Sequence, residues 1–120
     1  MPTAADLHYF ASASQAYDRP AVLLIHGAGG HHLYWPPQIR RISTHRVFAM
    51  DLPGHGRSDG LGRDRVEDYV EDVVAFMGAV GLNSAVWIGH SMGGAIALHA
   101  ALHQPGRVLG LGLIGSAARL

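Results

Sequence analysis

Four stretches of the chain are apolar without polar alternation: residues 21–25, 46–50 after its leading Arg46, 85–88 and 108–114. A strand buried on both faces reads as such a continuous run, whereas a strand with one wet face alternates. Residues 7–11 predict a further, opening strand, followed by turn residues from 12 to 20. Between the runs the period lengthens. Val66, Tyr69, Val70, Val73, Val74, Met77 and Val80 recur at steps of three and four and predict a helix over residues 63–80. Glu67, Asp68, Glu71 and Asp72 fall mostly on its other side, as a solvated face, and Gly81 ends it. Trp35, Ile39 and Ile42 predict a helix within residues 31–43, begun near Pro36 and Pro37. Ala95, Ala97, Ala100 and Ala101 make a small-residue helix that Gln104, Pro105 and Gly106 stop.

Strands alternating with helices imply an α/β fold of three layers, a mostly parallel sheet with helices on both faces. Ligands of such sheets bind at the carboxyl ends of the strands. Three special loops follow strands and so open on that one edge. They are His26-Gly27-Ala28-Gly29-Gly30, the loop from Asp51 to Asp59, and Gly89-His90-Ser91-Met92-Gly93-Gly94. The last contains G-x-S-x-G, a strand-to-helix turn that lifts a serine hydroxyl clear of the sheet. A turn that sharp brings Gly89 and Gly93 into near contact, where a Cβ would clash, and holds Ser91 in strained geometry. A helix starting directly behind Ser91 leaves the Met92 N–H free to face negative charge on a substrate oxygen.

Composition narrows the partners. Of 120 residues, 48% are hydrophobic and 15% charged, enough for a core in one domain. Nine basic and nine acidic residues balance, which gives no electrostatic case for nucleic acid or an anionic membrane. No cysteine is present, so disulfide and thiol chemistry drop out, and a cytoplasmic protein is expected. Residues 1–6 lack the basic and apolar regions of a signal peptide, and no apolar run reaches the ~18 residues of a membrane span.

On these residues the chain resembles the N-terminal half of an α/β-hydrolase-fold enzyme, the group of esterases, lipases, aminopeptidases and relatives. The resemblance runs from about Leu7 to the end and includes all three loops in the family order. It implies that Ser91 is the nucleophile and that the backbone N–H groups of Ala28 and Met92 form the oxyanion hole. His26, Gly27, Gly29, Gly89, His90 and Gly93 then support the loop and the turn. Asp51 is implied to be structural. The chemistry implied is acyl transfer on a small ester-like substrate with no cofactor. Amides, carbon–carbon bonds and haloperoxidase-like reactions remain open alternatives.

The family orders its triad as serine, then acid, then histidine. After Ser91 the sequence holds no acid, and only His99 and His103 among histidines. The resemblance therefore implies residues 1–120 to be the N-terminal part of a single domain, cut short before the cap and the C-terminal strands, with little activity alone. His99 and His103 have a spacing that can hold a metal, but the Glu of H-E-x-x-H and a third ligand are missing, so no metal site is expected. Two other readings stand beside the enzyme. One is a non-catalytic binding module or inactive fragment on the same scaffold. The other is a dinucleotide-binding domain, in which His32 would occupy the place of the third glycine. Strand 108–114 should leave an apolar, unpaired edge, which predicts self-association or docking with a complementary C-terminal half.

Overall fold

Val22, Leu23, Leu24 and Ile25 are all buried, and that decides the architecture: their strand must have neighbours on both sides and cover on both faces. The computed structural model, which describes residues 2–115, supplies both. In chain order the elements are β1 (Thr3–Ala4), β2 (Leu7–Ala11), β3 (Val22–Ile25), α1 (Pro37–Arg40), β4 (Val47–Met50), α2 (Val66–Ala79), β5 (Ala85–His90), α3 (Met92–His103) and β6 (Val108–Ile114). Short 3-10 turns sit at His32–Tyr34 and Pro105–Arg107. The six strands form one sheet in the order β1-β2-β4-β3-β5-β6. β4, β3, β5 and β6 run parallel, and the β1–β2 hairpin joins antiparallel through Tyr9 opposite Met50.

Alternate residues feed two cores. Leu23, Ile25, Met50, Ala85 and Trp87 face α2 and α3, where they meet Tyr69, Val73, Phe76, Met77, Ile96 and Ala100. Val22, Leu24, Val47 and Ala49 face the opposite way, onto Trp35 with Ile39 and Ile42 beside α1. The expected three layers are therefore present. Phe76 anchors the larger core, its ring edge-on to Tyr9 at 5.0 Å and to Phe48 at 6.1 Å. The alanines of α3 do what small residues allow. Ala95, Ala97 and Ala100 are buried directly against the sheet.

Some expectations need correction. The helix predicted within 31–43 does begin at Pro36 and Pro37, but it lasts a single turn before Arg41 leaves helical geometry at φ −114°, and a separate 3-10 turn precedes it at His32–Tyr34. β1 was not expected; it closes a two-residue turn in which Ala5 and Asp6 take positive φ. The strand 108–114 forms as predicted but is not fully buried. It is the sheet edge, and Leu109, Leu111, Leu113 and Ile114 are each more than 40% exposed. That is the apolar edge the pattern predicted.

Removing the Phe76 ring should cost about 3–5 kcal/mol in Phe76→Ala, read from urea denaturation. Leu102→Ala, at a position 69% exposed, should change stability by less than about 0.5 kcal/mol.

Candidate active site

The chain leaves β3 toward β4 on one side, while β5 leads on to β6 on the other, so β3 and β5 flank the point where the strand order reverses. A crevice opens at such a point beyond the carboxyl ends of the strands. Here it is floored by residues 26–30 after β3 and by Ser91 after β5. A cleft of about 230 Å³ is lined by Gly27, Ala28, Gly29, Gly30, Tyr34, His90 and Ser91. A larger hollow of about 600 Å³ lies beside the β1–β2 hairpin, between Asp6, His8, Asp59 and Arg63, away from the serine turn.

Ser91 has φ 54° and ψ −114°, left-handed backbone for a residue with a side chain. Such a conformation costs on the order of 1–3 kcal/mol and persists only where its surroundings over-determine it. The surroundings are backbone. A Cβ on Gly89 would fall on the Gly93 carbonyl, and a Cβ on Gly93 would fall on the Ile25 carbonyl at the end of β3. The turn is thus pressed between its own two ends and the neighbouring strand. Ser91 N–H donates to Ile114 O on β6 at 3.1 Å, tying the turn from the other side. The Ser91 side chain does not cap α3. Among the described residues neither the Ala28 nor the Met92 amide donates a hydrogen bond within the fold. Ala28 lines the cleft, and Met92 opens α3, where first-turn amides have no partner inside the helix.

His90 and Tyr34 form the wall. Their rings stack at 4.3 Å with 22° between planes, and the His90 ring packs over Gly27, where an added Cβ would lie 3.2 Å from its Nδ1. Gly29, at φ 75°, turns the loop outward at the rim. Sequence reasoning did not single out Tyr34, which precedes the helix expected from Pro36 and meets a partner, His90, far along the chain. It also gave His32 no role except as a glycine's replacement in the dinucleotide reading.

His32 belongs to the support beneath the cleft. Asp51 is fully buried and accepts from the His32 backbone N–H at 2.6 Å, from His32 Nδ1 at 2.8 Å and from the Arg57 N–H at 3.0 Å. Burial by itself would raise its pKa, but the bonds from Arg57 and His32 outweigh that and hold it below the ordinary value. Ser58 Oγ donates to the Asp51 carbonyl and accepts from the His8 N–H. Asp51 is structural, a clamp between the loops after β3 and β4. His26 is equally internal. The Leu52 N–H donates to its Nε2 at 3.0 Å, which leaves Nδ1 to donate to Gly27 O at 2.7 Å. Burial, then the neighbouring His55, pushes its pKa down to about 4, so the ring is neutral at pH 7 and serves as a two-ended spacer.

A profile of the family described as alpha/beta hydrolase fold matches residues 20–119. The chain belongs to the α/β hydrolase fold family. Over 95 residues it is 37% identical to the pimeloyl-[acyl-carrier protein] methyl ester esterase of Shewanella woodyi, covering 79% of this chain and 35% of that protein. Over 102 residues it is 32% identical to 3-oxoadipate enol-lactonase 1 of Acinetobacter baylyi, covering 84% and 38%. Among solved structures, a thermophilic esterase from Thermogutta terrifontis superposes with a TM-score of 0.83 at 28% identity, covering 94% of this chain and 41% of that one. The chain thus spans little more than a third of the curated relatives it matches.

Two outcomes follow for this α/β hydrolase chain. Gly89→Ala and Gly93→Ala should each abolish the cooperative unfolding transition seen by circular dichroism, since backbone has no room to yield. Gly106→Ala, where an added Cβ meets nothing within 4 Å, should fold normally. The second concerns acid. His26 binds its proton near pH 6.5 when unfolded but only near 4 when folded, so the unfolded state takes up more protons and stability falls as pH drops through that window. The loss is roughly 3 kcal/mol. Asp51, depressed in the fold, adds a separate loss below its ordinary 3.8. Urea midpoints measured from pH 7 to pH 3 should show both falls, and His26→Gln should flatten the upper one alone.

Proposed function

We propose that this chain carries the nucleophile and oxyanion hole of a serine hydrolase acting on a small ester or lactone. Ser91 attacks the substrate carbonyl, the Ala28 and Met92 amides hold the tetrahedral oxyanion, and water then releases the acyl group. The observation that carries the reading is the left-handed Ser91 in a turn walled by backbone, beside a cleft at which the Ala28 and Met92 amides donate to no group among the described residues. The relatives named for ester and lactone hydrolysis agree with that substrate class.

The general base and its acid are assigned to none of residues 1–120. No carboxylate follows Ser91 in the sequence. His26 is spent on Leu52 and Gly27, and His90 is stacked on Tyr34. Residues 1–120 are accordingly read as the N-terminal part of one catalytic domain. The exposed leucines of β6 are assigned to contact with a complementary segment or a second copy. The dinucleotide reading loses its acidic residue, because the Asp51 carboxylate is buried and already accepts from His32 and Arg57.

The test is native mass spectrometry before and after a fluorophosphonate probe, with Ser91→Ala as control. One label per chain, absent in the variant, is the expected result wherever the native mass shows a second polypeptide or a longer chain. The folded 12.8 kDa species should label slowly, because losing the triad base costs about 10⁶ in turnover in the subtilisin example. Labelling that persists in Ser91→Ala would overturn the assignment. Absence of labelling even in the completed protein would favour the non-catalytic binding module.

A further inference from the structure

Most of the nine histidines have a partner that accounts for them. His26, His31, His32, His45 and His55 each engage a ring nitrogen in a hydrogen bond, and His90 stacks on Tyr34. His8 Nδ1 is buried with no partner among the described residues, and His99 and His103 differ from all of these in facing each other. They lie one turn apart at the end of α3, with ring centroids 4.2 Å apart and planes tilted by 34°. Among the described residues no protein group hydrogen-bonds to either ring. His99 is half-buried and His103 exposed, both near the end of α3.

We propose that His99 and His103 form a surface site that chelates one divalent transition-metal ion between two imidazoles. Residues four apart on a helix share a face, and a metal at about 2.0–2.1 Å from each nitrogen would hold two such rings side by side. The remaining coordination positions go to water, so the absence of a third protein ligand does not forbid the site. It makes the site open and its metal exchangeable.

The surroundings favour a cation. The pair stands in the last turn of α3, at the negative end of the helix dipole. Glu71 of α2 is drawn to the same end by a hydrogen bond from Gln104 Nε2 at 3.1 Å. Arg107, the next cation along the sequence, donates from its guanidinium to the Asn83 carbonyl. Imidazole ligands and open positions suit Cu²⁺ best, then Ni²⁺, with Zn²⁺ weaker than Cu²⁺. A bound ion would pin the last turn of the helix whose first turn carries Ser91.

Isothermal titration of the 120-residue chain with Cu²⁺ tests this, with electron paramagnetic resonance of the product. The expected result is one saturable equivalent, two nitrogen ligands in the spectrum, and tighter binding of Cu²⁺ than of Ni²⁺ or Zn²⁺. His99→Ala and His103→Ala should each lose that equivalent while retaining the helical circular dichroism of the parent, and His45→Ala should keep it. No saturable equivalent in the parent chain, or one that survives the double substitution, would overturn the site. Should a variant fail to fold, the nitrogen count in the parent spectrum still decides, because a single nitrogen contradicts chelation.

Discussion

At the heart of this molecule backbone is pressed on backbone, with no room for a side chain between. The first turn of α3 lies directly against the carbonyl end of β3, with Gly93 filling the gap. Everything chemical depends on that contact. It fixes where α3 begins, which fixes the free amides of its first turn, and it leaves Ser91 no backbone conformation except the left-handed one. Strain of this kind is held by packing elsewhere, and the packing is the large core of Trp87, Phe76, Ile96 and Ala100 behind the turn. The energetic logic is that apolar burial on one face of the sheet offsets an unfavourable geometry at its edge.

A second constraint keeps the neighbouring loops in register. Asp51 is a buried carboxylate that, among the described residues, has no guanidinium or ammonium partner. It is satisfied chiefly by backbone amides and one imidazole. A buried charge left unpaired is costly, so the loops after β3 and β4 must meet there for the chain to fold. His26 works in the same space as a neutral linker between Gly27 and Leu52. Together they set the height of the residue 26–30 loop over Ser91, although neither faces the cleft.

How much of this was written in the sequence differs by element. β2 and β6 form with the predicted bounds, and β3, β4, β5 and α2 within a few residues, because continuous apolar runs and a clean three-and-four stripe leave few alternatives. The serine turn was legible because the contact that requires Gly89, with the Gly93 carbonyl, lies inside the motif, although the contact of Gly93 with Ile25 does not. Within residues 31–43 the helix starts at the two prolines as expected, but apolar spacing overstated its length, which ends at Arg40. The exposure of β6 follows from its place at the edge, which depends on strand order and not on its own composition. Tyr34 and His32 were missed for a related reason. Their partners, His90 and Asp51, are distant in sequence, and nothing in either neighbourhood marks the pair.

The order of strands has a consequence for how the protein is made. Val22 pairs with Val47 on one side but with Val86 on the other. During synthesis β3 can therefore join β4 early, yet one of its edges stays open until β5 has left the ribosome. Long-range parallel pairing is slow, and an unpaired apolar edge is prone to stick to other chains meanwhile. The strand that closes that edge is the one that ends in the serine turn. Pairing of β3 on its second side and formation of the Ser91 turn are thus a single late event, and a chain halted before it has neither.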